Sequence, residues 1–234
     1  MSIASFGTNV RRLYMSNPLT RRLFYRLRYA AVGRCLVHWH GIPGWTTREE
    51  AAALGRASYS LPADAIVVEV GSFLGKSTVV LAGARKLRGS GKVHCVDPFD
   101  GSGDKFSVPF YSAIASETPL TLRERFEASM RYAGLTGWVV VHQGTAEAIS
   151  SGWTQPIDML FLDGDQTPQG ARSAYERFVP FLKRGGVVAL HNSSEREYAV
   201  GHDGYRRLVI EEFHAPVYSD IYCVESTTFA QKAG

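Results

Sequence analysis

Short apolar runs alternate with longer amphipathic stretches from residue 41 onward. The first run, 65–70, is β-branched and almost wholly apolar, which is typical of a strand covered on both faces in a parallel sheet. The same pattern predicts further strands at 92–96, 138–142, 158–162 and 187–190, and two closing strands joined by a tight turn within 216–231. Helices are predicted at 75–88, 121–133, from Ala146, at 169–183 and at 203–214. The alternation predicts a doubly wound, Rossmann-like α/β sheet, mostly parallel with a C-terminal antiparallel hairpin.

A basic helical extension precedes this pattern. Apolar residues recur at helical spacing from Val10 to Val37, and Pro18 should divide the stretch into two helices. Residues 1–48 hold eight arginines and no acid, whereas residues 49–234 hold 18 basic and 22 acidic side chains. We therefore predict an extension, 1–40, and one domain, 41–234. The extension could pack on the domain or on a second subunit as a homodimer, meet anionic lipid or nucleic acid, or direct the chain to an organelle.

Two segments outside the regular alternation are predicted to cover a site. Thr46 or Thr47 can begin a helix through a capping box, with Trp45 just ahead of it, and that helix should end near Ser60. Residues 98–120 form a long predicted loop in which glycines at 101 and 103 precede Phe106, Phe110 and Tyr111. A glycine hinge followed by aromatic residues is typical of a lid that excludes water.

Composition excludes several classes of protein. The chain has 234 residues, of which 45% are hydrophobic and 21% charged, so a disordered, collagen-like or coiled-coil chain is excluded. No apolar run is long enough to cross a bilayer, and the opening residues lack the apolar run of a secretory signal peptide. Three cysteines without a Cys-x-x-Cys pair argue against a disulfide framework and predict a cytoplasmic location.

Candidate chemistry follows the predicted strands. Ligands of open α/β sheets bind beyond the carboxyl ends of the strands, and here those ends are polar. The segments are Glu69-Val70-Gly71-Ser72, Asp97-Pro98-Phe99-Asp100, His142-Gln143-Gly144-Thr145, Asp163-Gly164-Asp165-Gln166 and His191-Asn192-Ser193-Ser194. The sequence therefore predicts one site at this edge of the sheet.

Four interpretations compete for the turn after the first strand. A P-loop needs four residues between its first glycine and Gly-Lys-Ser, but only three separate Gly71 from Gly75. A dinucleotide fingerprint needs glycine where Phe73 stands. The third is the acidic-x-Gly turn of S-adenosylmethionine (SAM) methyltransferases, in which Gly71 admits the ligand and Asp97 can accept both ribose hydroxyls. The fourth is a plain glycine turn with capping acids.

Four motifs in order resemble the class I SAM-dependent methyltransferases. They are residues 68–78, residues 96–101, Phe161-Leu162-Asp163-Gly164-Asp165 and residues 185–191. The resemblance is strongest to the small O-methyltransferases that tailor sugars and natural products, with distant similarity to catechol O-methyltransferase. It implies that the methionine part of SAM is bordered by Glu69, Gly71, Ser72 and Ser77, the ribose by Asp97, and the adenine by Gln143, Gly144, Thr145 and Ala146, with Asp163 also beside the cofactor.

The resemblance also implies where an acceptor and a metal would bind. Relatives that use Mg²⁺ take its ligands from the ends of strands four and five, which here are Asp163, His191 and Asn192. The family often has histidine where Gln166 stands and aspartate where Asn192 stands, so one ligand charge is missing. Asp163, Asp165 and His191 are the catalytic candidates, with Asp165 and His191 as possible general bases.

Two functional hypotheses follow. The first is a SAM-dependent O-methyltransferase, aided by Mg²⁺, that methylates a hydroxyl of a small acceptor. By family analogy the acceptor is a sugar or oligosaccharide, such as a mannoside, rather than a phenol or another natural product. The second is a methyltransferase-fold binding protein without catalysis, which the departures at Gln166 and Asn192 favour. No nucleic-acid partner is expected under the first hypothesis.

Overall fold

The computed structural model describes residues 18–234 and consists of one seven-stranded sheet with helices on both faces. The strands are β1 (Ile66–Val70), β2 (Lys92–Asp97), β3 (Val139–Gln143), β4 (Ile157–Leu162), β5 (Leu182–Leu190), β6 (Tyr218–Val224) and β7 (Thr227–Lys232). The α-helices are Pro18–Tyr29, Leu36–Trp39, Arg48–Ser60, Thr78–Arg88, Val108–Ser116, Leu122–Tyr132, Ala146–Ser150, Pro168–Phe178 and Gly204–Glu212. Short 3-10 helices span Ala30–Arg34, Thr136–Trp138 and Val179–Phe181.

The strand order places a crevice at the middle of the sheet. The order is β3-β2-β1-β4-β5-β7-β6, with β1 to β5 parallel and β7 antiparallel to both of its neighbours. Chain order reverses between β1 and β4, so the connections that leave these two strands pass to opposite faces. Ligands of such sheets bind where the strand order reverses. The predicted fold, including its C-terminal hairpin, is confirmed.

Each face of the sheet carries its own apolar core. One face is covered by the helices Arg48–Ser60, Thr78–Arg88 and Leu122–Tyr132. The other face is covered by the helices Pro168–Phe178 and Gly204–Glu212. Central β4 shows the result, because all six of its residues are buried. This burial on both faces explains why the strand sequences are continuous apolar runs rather than alternating ones.

Capping boxes begin two of the helices, one of them at the predicted Thr47. The Thr47 side chain accepts a hydrogen bond from Glu50 N while the Glu50 carboxylate accepts one from Thr47 N, and Thr121 and Glu124 repeat the arrangement. Asp203 stands at the start of its helix as predicted but does not cap it. Its carboxylate instead accepts a hydrogen bond from Arg207 Nε at 2.8 Å.

Three predicted elements differ from the structure. The predicted loop 98–120 contains the helix Val108–Ser116. The helix predicted to run to residue 183 ends at Phe178, and after a 3-10 turn β5 begins at Leu182. The second N-terminal helix ends at Tyr29 rather than near Val37. The first N-terminal helix lies outside the described residues, and the division at residue 40 stays a prediction.

The N-terminal segment packs on the body of the protein. Tyr25, Val32, Leu36 and Trp39 are buried in the same core as the helix Arg48–Ser60. Among residues 18–234, none of the helices combines the length and the apolar character that a membrane span requires.

Candidate functional site

A cavity of about 780 Å³ lies at the carboxyl ends of the central strands. Its volume is within the range of roughly 300–1,000 Å³ that small-molecule sites occupy. Most of the predicted site residues line it: Gly71, Ser72, Ser77, Asp97, Gly144, Thr145, Ala146, Asp163, Asp165, His191 and Asn192. The side chains of Glu69 and Gln143 are not part of the lining. The residues predicted from the sequence thus lie around one cavity. Their individual contacts with a ligand stay predictions.

Glu69 holds the turn after β1 in place through hydrogen bonds to its carboxylate. Its fully buried carboxylate accepts hydrogen bonds from Ser77 Oγ at 2.6 Å, from Ser72 Oγ at 2.8 Å and from Thr78 Oγ1. Burial raises the pKa of Glu69 to about 7, although the three hydroxyls oppose the shift. Glu69 thus acts on the cavity by holding Ser72 and Ser77, which line it. Gln143, by contrast, turns outward to accept a hydrogen bond from Arg123 Nη1 at 2.6 Å.

Asp97 joins two loops at the end of β2. One carboxylate oxygen accepts a hydrogen bond from Phe73 N at 2.8 Å and the other from Phe99 N at 2.7 Å. Both of these residues have positive φ angles, 46° and 55°, so the carboxylate holds a tightly turned backbone on either side. Burial raises the pKa of Asp97, and the backbone donors oppose that shift. Each oxygen keeps acceptor capacity toward the cavity, which fits a ribose diol.

Asp163 and His191 are brought into contact at the ends of β4 and β5. His191 Nδ1 lies 2.7 Å from Asp163 Oδ1, and His191 Nε2 faces Glu50 Oε2 at 3.8 Å. His191 is buried between these two carboxylates. Burial alone would lower its pKa, but the negative charges of Asp163 and Glu50 outweigh burial and raise it. Among the described residues, no hydrogen-bond donor reaches Asp163 Oδ2, whereas Oδ1 lies within hydrogen-bonding distance of His191 Nδ1 and Gln166 Nε2.

Glu50 packs against His191 at the site, and the sequence did not reveal this role. It is wholly buried, and its carboxylate accepts hydrogen bonds from Ser226 N, Ser226 Oγ and Thr227 Oγ1 in addition to Thr47 N. Burial would raise the pKa of Glu50, but His191 and these donors lower it. Glu50 and Ser226 are 176 residues apart in sequence, so only a capping box could be read from the pattern around Glu50.

The donor set fits Mg²⁺ poorly. Mg²⁺ prefers oxygen ligands in octahedral geometry. Of the three predicted ligands, His191 offers nitrogen, and its Nδ1 is already bonded to Asp163. Asn192 has a positive φ of 52° and lines the cavity, but it carries no charge. Across residues 18–234, no group of three or more His, Cys, Asp or Glu side chains is arranged to hold a metal ion.

Two residues flank the Asp163–His191 pair. Asp165 lines the cavity, and its Oδ1 accepts a hydrogen bond from Thr167 N at 2.9 Å, which starts the next helix. Gln166 Nε2 reaches Asp163 Oδ1 at 3.3 Å, while no hydrogen-bond donor within residues 18–234 reaches the buried Gln166 Oε1. Gln166 therefore supports Asp163 as a donor but cannot take a proton from it.

The predicted lid contributes an aromatic wall. Trp45 packs against Phe110 at 4.4 Å and against Tyr111 at 5.5 Å between ring centroids, and Tyr111 packs against Phe73 at 4.7 Å. Burial raises the pKa of the Tyr111 hydroxyl, so it stays protonated. Trp45 and Tyr111 line the cavity. The aromatic wall lies beside the β1 turn, where Tyr111 contacts Phe73.

A polar wall closes the far side of the cavity. His202 Nδ1 lies 3.0 Å from Asp104 Oδ1, which joins the lid to the segment after β5. Burial would raise the pKa of Asp104, but Ser107, Phe106 N and His202 lower it. Arg196 and Tyr198 line the same wall. The sequence offered no motif for Arg196 or Tyr198, because they lie in an irregular segment that follows no strand directly.

Comparison with known proteins places the chain in a family. A family model described as a methyltransferase domain matches residues 68–193, which is more than half of the chain. The chain belongs to this methyltransferase family. The matched region of this methyltransferase runs from β1 to the residues just after β5, so it contains Asp97, Asp163 and His191 but not Glu50.

Solved structures share the fold of this methyltransferase at low identity. The O-methyltransferase TomG from Streptomyces achromogenes, in complex with SAM, is 18% identical with a TM-score of 0.58 over 88% of this chain and 90% of that one. An O-methyltransferase from Bacillus cereus in complex with SAH is 17% identical with a TM-score of 0.57 over 86% and 90%. The cofactor-bound protein Rv0187 from MTB is 16% identical with a TM-score of 0.61 over 92% and 97%.

Proposed function

We propose that this methyltransferase transfers a methyl group from SAM to a hydroxyl oxygen of a small acceptor, with a sugar favoured. One observation carries the proposal: a single cavity joins the Asp97 carboxylate to the Asp163–His191 pair. Two structural neighbours are described as O-methyltransferases in complex with SAM or SAH, which supports the cofactor and the acceptor atom. The sugar rests on family analogy and on the mixed polar and aromatic walls of the cavity.

The residues divide into a cofactor end and an acceptor end. At the cofactor end, Asp97 would accept the ribose hydroxyls, while Ser72 and Ser77 would border the methionine part. Gly144, Thr145 and Ala146 would border the adenine. When bound, SAM supplies an electrophilic methyl group, so the protein has only to orient the acceptor and remove one proton.

The acceptor end would handle that proton. Asp163 lines the cavity and would accept the hydroxyl proton at Oδ2, while His191 Nδ1 holds the other oxygen. Glu50 Oε2 faces the far nitrogen of His191 at 3.8 Å, so its charge would favour the ring orientation that keeps Nδ1 beside Asp163. Asp165 is the alternative base, because it lines the same cavity. Closure by the aromatic wall would exclude water from the reaction.

Titration calorimetry with S-adenosylhomocysteine tests the cofactor end. We expect Asp97→Ala to weaken binding about 10- to 100-fold, because hydrogen bonds to a carboxylate are strong and because Phe73 N and Phe99 N lose their acceptor. Asp100→Ala is the matched control. Within the described residues, the exposed Asp100 carboxylate accepts hydrogen bonds only from Ser102, so the affinity of this variant for S-adenosylhomocysteine should change by less than about twofold. Absence of binding to the unmodified chain would refute the proposal.

Mg²⁺ dependence is a separate prediction with its own test. The sequence predicts a Mg²⁺ site at Asp163, His191 and Asn192, but the poor fit of these donors leads us to expect turnover in excess EDTA to stay within about twofold of turnover with Mg²⁺. Loss of activity in EDTA that Mg²⁺ restores, and that Asn192→Ala removes, would instead support the predicted metal site.

A binding protein without catalysis is the second candidate. The uncharged Gln166 and Asn192 favour it, since each stands where the family often has an ionisable side chain. In the described part of the chain, the buried Gln166 Oε1 also has no hydrogen-bond donor. An acceptor panel of sugars and phenols, run with SAM, separates the candidates. Methylation of a sugar hydroxyl supports the proposed function, methylation of phenols alone corrects the acceptor, and SAM binding without any turnover favours the binding protein.

A further inference from the structure

The helix Pro18–Tyr29 binds the protein through one face and exposes an apolar stripe on the opposite face. Tyr25 and Tyr29 are buried in the core, at 0% and 9% exposure. Leu23 and Leu27, one turn apart, are 59% and 78% exposed. At about 100° per residue, the midpoint of the two leucines lies roughly 160° around the helix from the midpoint of the two tyrosines. The leucines therefore point away from the protein.

Arginines border the apolar stripe on both sides. Arg22 and Arg26 are exposed along one border, and Arg28 is exposed along the other. The helix contains no acidic residue, and the first 48 residues hold eight arginines without an acid. By contrast, residues 49–234 hold more acidic than basic side chains. Positive charge and exposed apolar surface are thus concentrated on the same helix.

Contacts at the base of the helix join it to the cavity wall. Tyr29 Oη donates a hydrogen bond to Glu49 Oε1 at 2.9 Å, and Arg28 Nη2 lies 3.4 Å from the same oxygen. The Arg48 guanidinium lies over the Phe24 ring at 5.6 Å. Arg48 and Glu49 directly follow Trp45, Thr46 and Thr47, which line the cavity. The helix is therefore held in a fixed position relative to the site.

We propose that this helix binds the surface of an anionic lipid bilayer and lies in the plane of the interface. Leu23 and Leu27 would enter the acyl boundary, while Arg22 and Arg26 would reach the lipid phosphates. Apolar burial and attraction to anionic headgroups together set the strength of such binding. The acidic remainder of the chain would be repelled by the same surface, which favours attachment through this helix alone.

The charge and the exposed leucines of the helix argue against two other partners, a second copy of the chain and a nucleic acid. A second copy docked helix against helix would bring the arginines of both helices together with no acid among the first 48 residues to offset them. A nucleic acid would satisfy the arginines through its phosphates but would leave Leu23 and Leu27 facing water. Only an anionic lipid surface matches both the charge and the exposed leucines.

Co-sedimentation of the full chain with vesicles tests the proposal. We expect binding to vesicles of phosphatidylglycerol and phosphatidylcholine and at least about tenfold weaker binding to phosphatidylcholine alone. The double variant Leu23→Ser/Leu27→Ser and the double variant Arg22→Gln/Arg26→Gln should each lower binding by about tenfold or more. Ile210→Ser, an exposed apolar residue on a distant helix, should bind like the unmodified chain.

Three results would overturn the proposal. The first is that the chain fails to bind anionic vesicles, and the second is that it binds both kinds of vesicle equally. The third is that both double variants bind as tightly as the unmodified chain and melt at the same temperature. Light scattering could instead show a dimer that Leu23→Ser/Leu27→Ser dissolves, which would assign the face to a second copy. Binding to duplex DNA that depends on the arginines but not on the leucines would assign it to nucleic acid.

Discussion

Replacing Asp163 with asparagine is expected to lower the rate of methyl transfer by about 10²- to 10⁴-fold, the usual contribution of a positioned base. Asparagine keeps the size of the side chain but cannot accept the hydroxyl proton at the position of Oδ2, and it carries no charge to balance His191. Affinity for S-adenosylhomocysteine should fall by less than about threefold, because Asp97 and the β1 turn remain intact. Single-turnover kinetics with an acceptor from the panel, beside calorimetry, measure both quantities.

Asp165→Asn is the matched control for this prediction. Asp165 lies two residues away on the same wall, and its described hydrogen bond, from Thr167 N, can be accepted equally well by an asparagine oxygen. Its rate should change by less than about fivefold. If instead Asp165→Asn abolished turnover and Asp163→Asn did not, Asp165 would be the base and Asp163 would serve only to hold His191.

His191 shows why both variants are needed. From the sequence, His191 was a candidate base, because a histidine at a strand end titrates near neutral pH. In the structure both ring nitrogens face carboxylates, one from β4 and one from the helix Arg48–Ser60. We therefore expect His191 to act by holding Asp163 rather than by contacting the acceptor.

The parts of the fold that local pattern determines were predictable. The central strands β1 and β4 are buried on both faces, so each appears as an apolar run, and the topological rule then places the residues after the parallel strands at one edge. Asp97, Asp163 and His191 could be predicted in this way. Thr47 and Thr121 could be predicted as caps because a capping box needs only four consecutive residues.

The rest depends on contacts between distant segments. The helix Val108–Ser116 was missed because Ile114 is its only buried residue, so it carries no periodic apolar face. The helix before β5 was predicted too long because Leu182 continues its apolar spacing, yet pairing with Ile157 of β4 draws Leu182 into the sheet. Glu50 reaches the site only because the C-terminal hairpin places Ser226 and Thr227 beside it.

Gly71→Ala is expected both to destabilise the fold and to abolish binding of the cofactor. Gly71 has a φ of +90°, and a Cβ there would lie 2.4 Å from Asp163 O and 2.6 Å from Gly164 N. These are backbone atoms of the neighbouring strand end, held in place by the hydrogen bond from Asp163 N to Val70 O at 2.8 Å. Backbone strain and overlap together should cost about 3 kcal/mol or more.

That cost should appear as a fall in melting temperature of about 6 °C or more for a chain of this size. Binding of S-adenosylhomocysteine should be lost as well, because relief of the overlap moves the β1 turn away from the Asp163–His191 pair. Gly152→Ala is the matched control, since a Cβ there would meet no atom of residues 18–234 within 4 Å and its φ is not positive. If Gly71→Ala melted like Gly152→Ala and bound the nucleoside normally, the close approach of β1 and β4 could not be what shapes the cavity. If Gly71→Ala lowers both the melting temperature and the binding of S-adenosylhomocysteine while Gly152→Ala lowers neither, the same close contact stabilises the β1 turn and shapes the cofactor site.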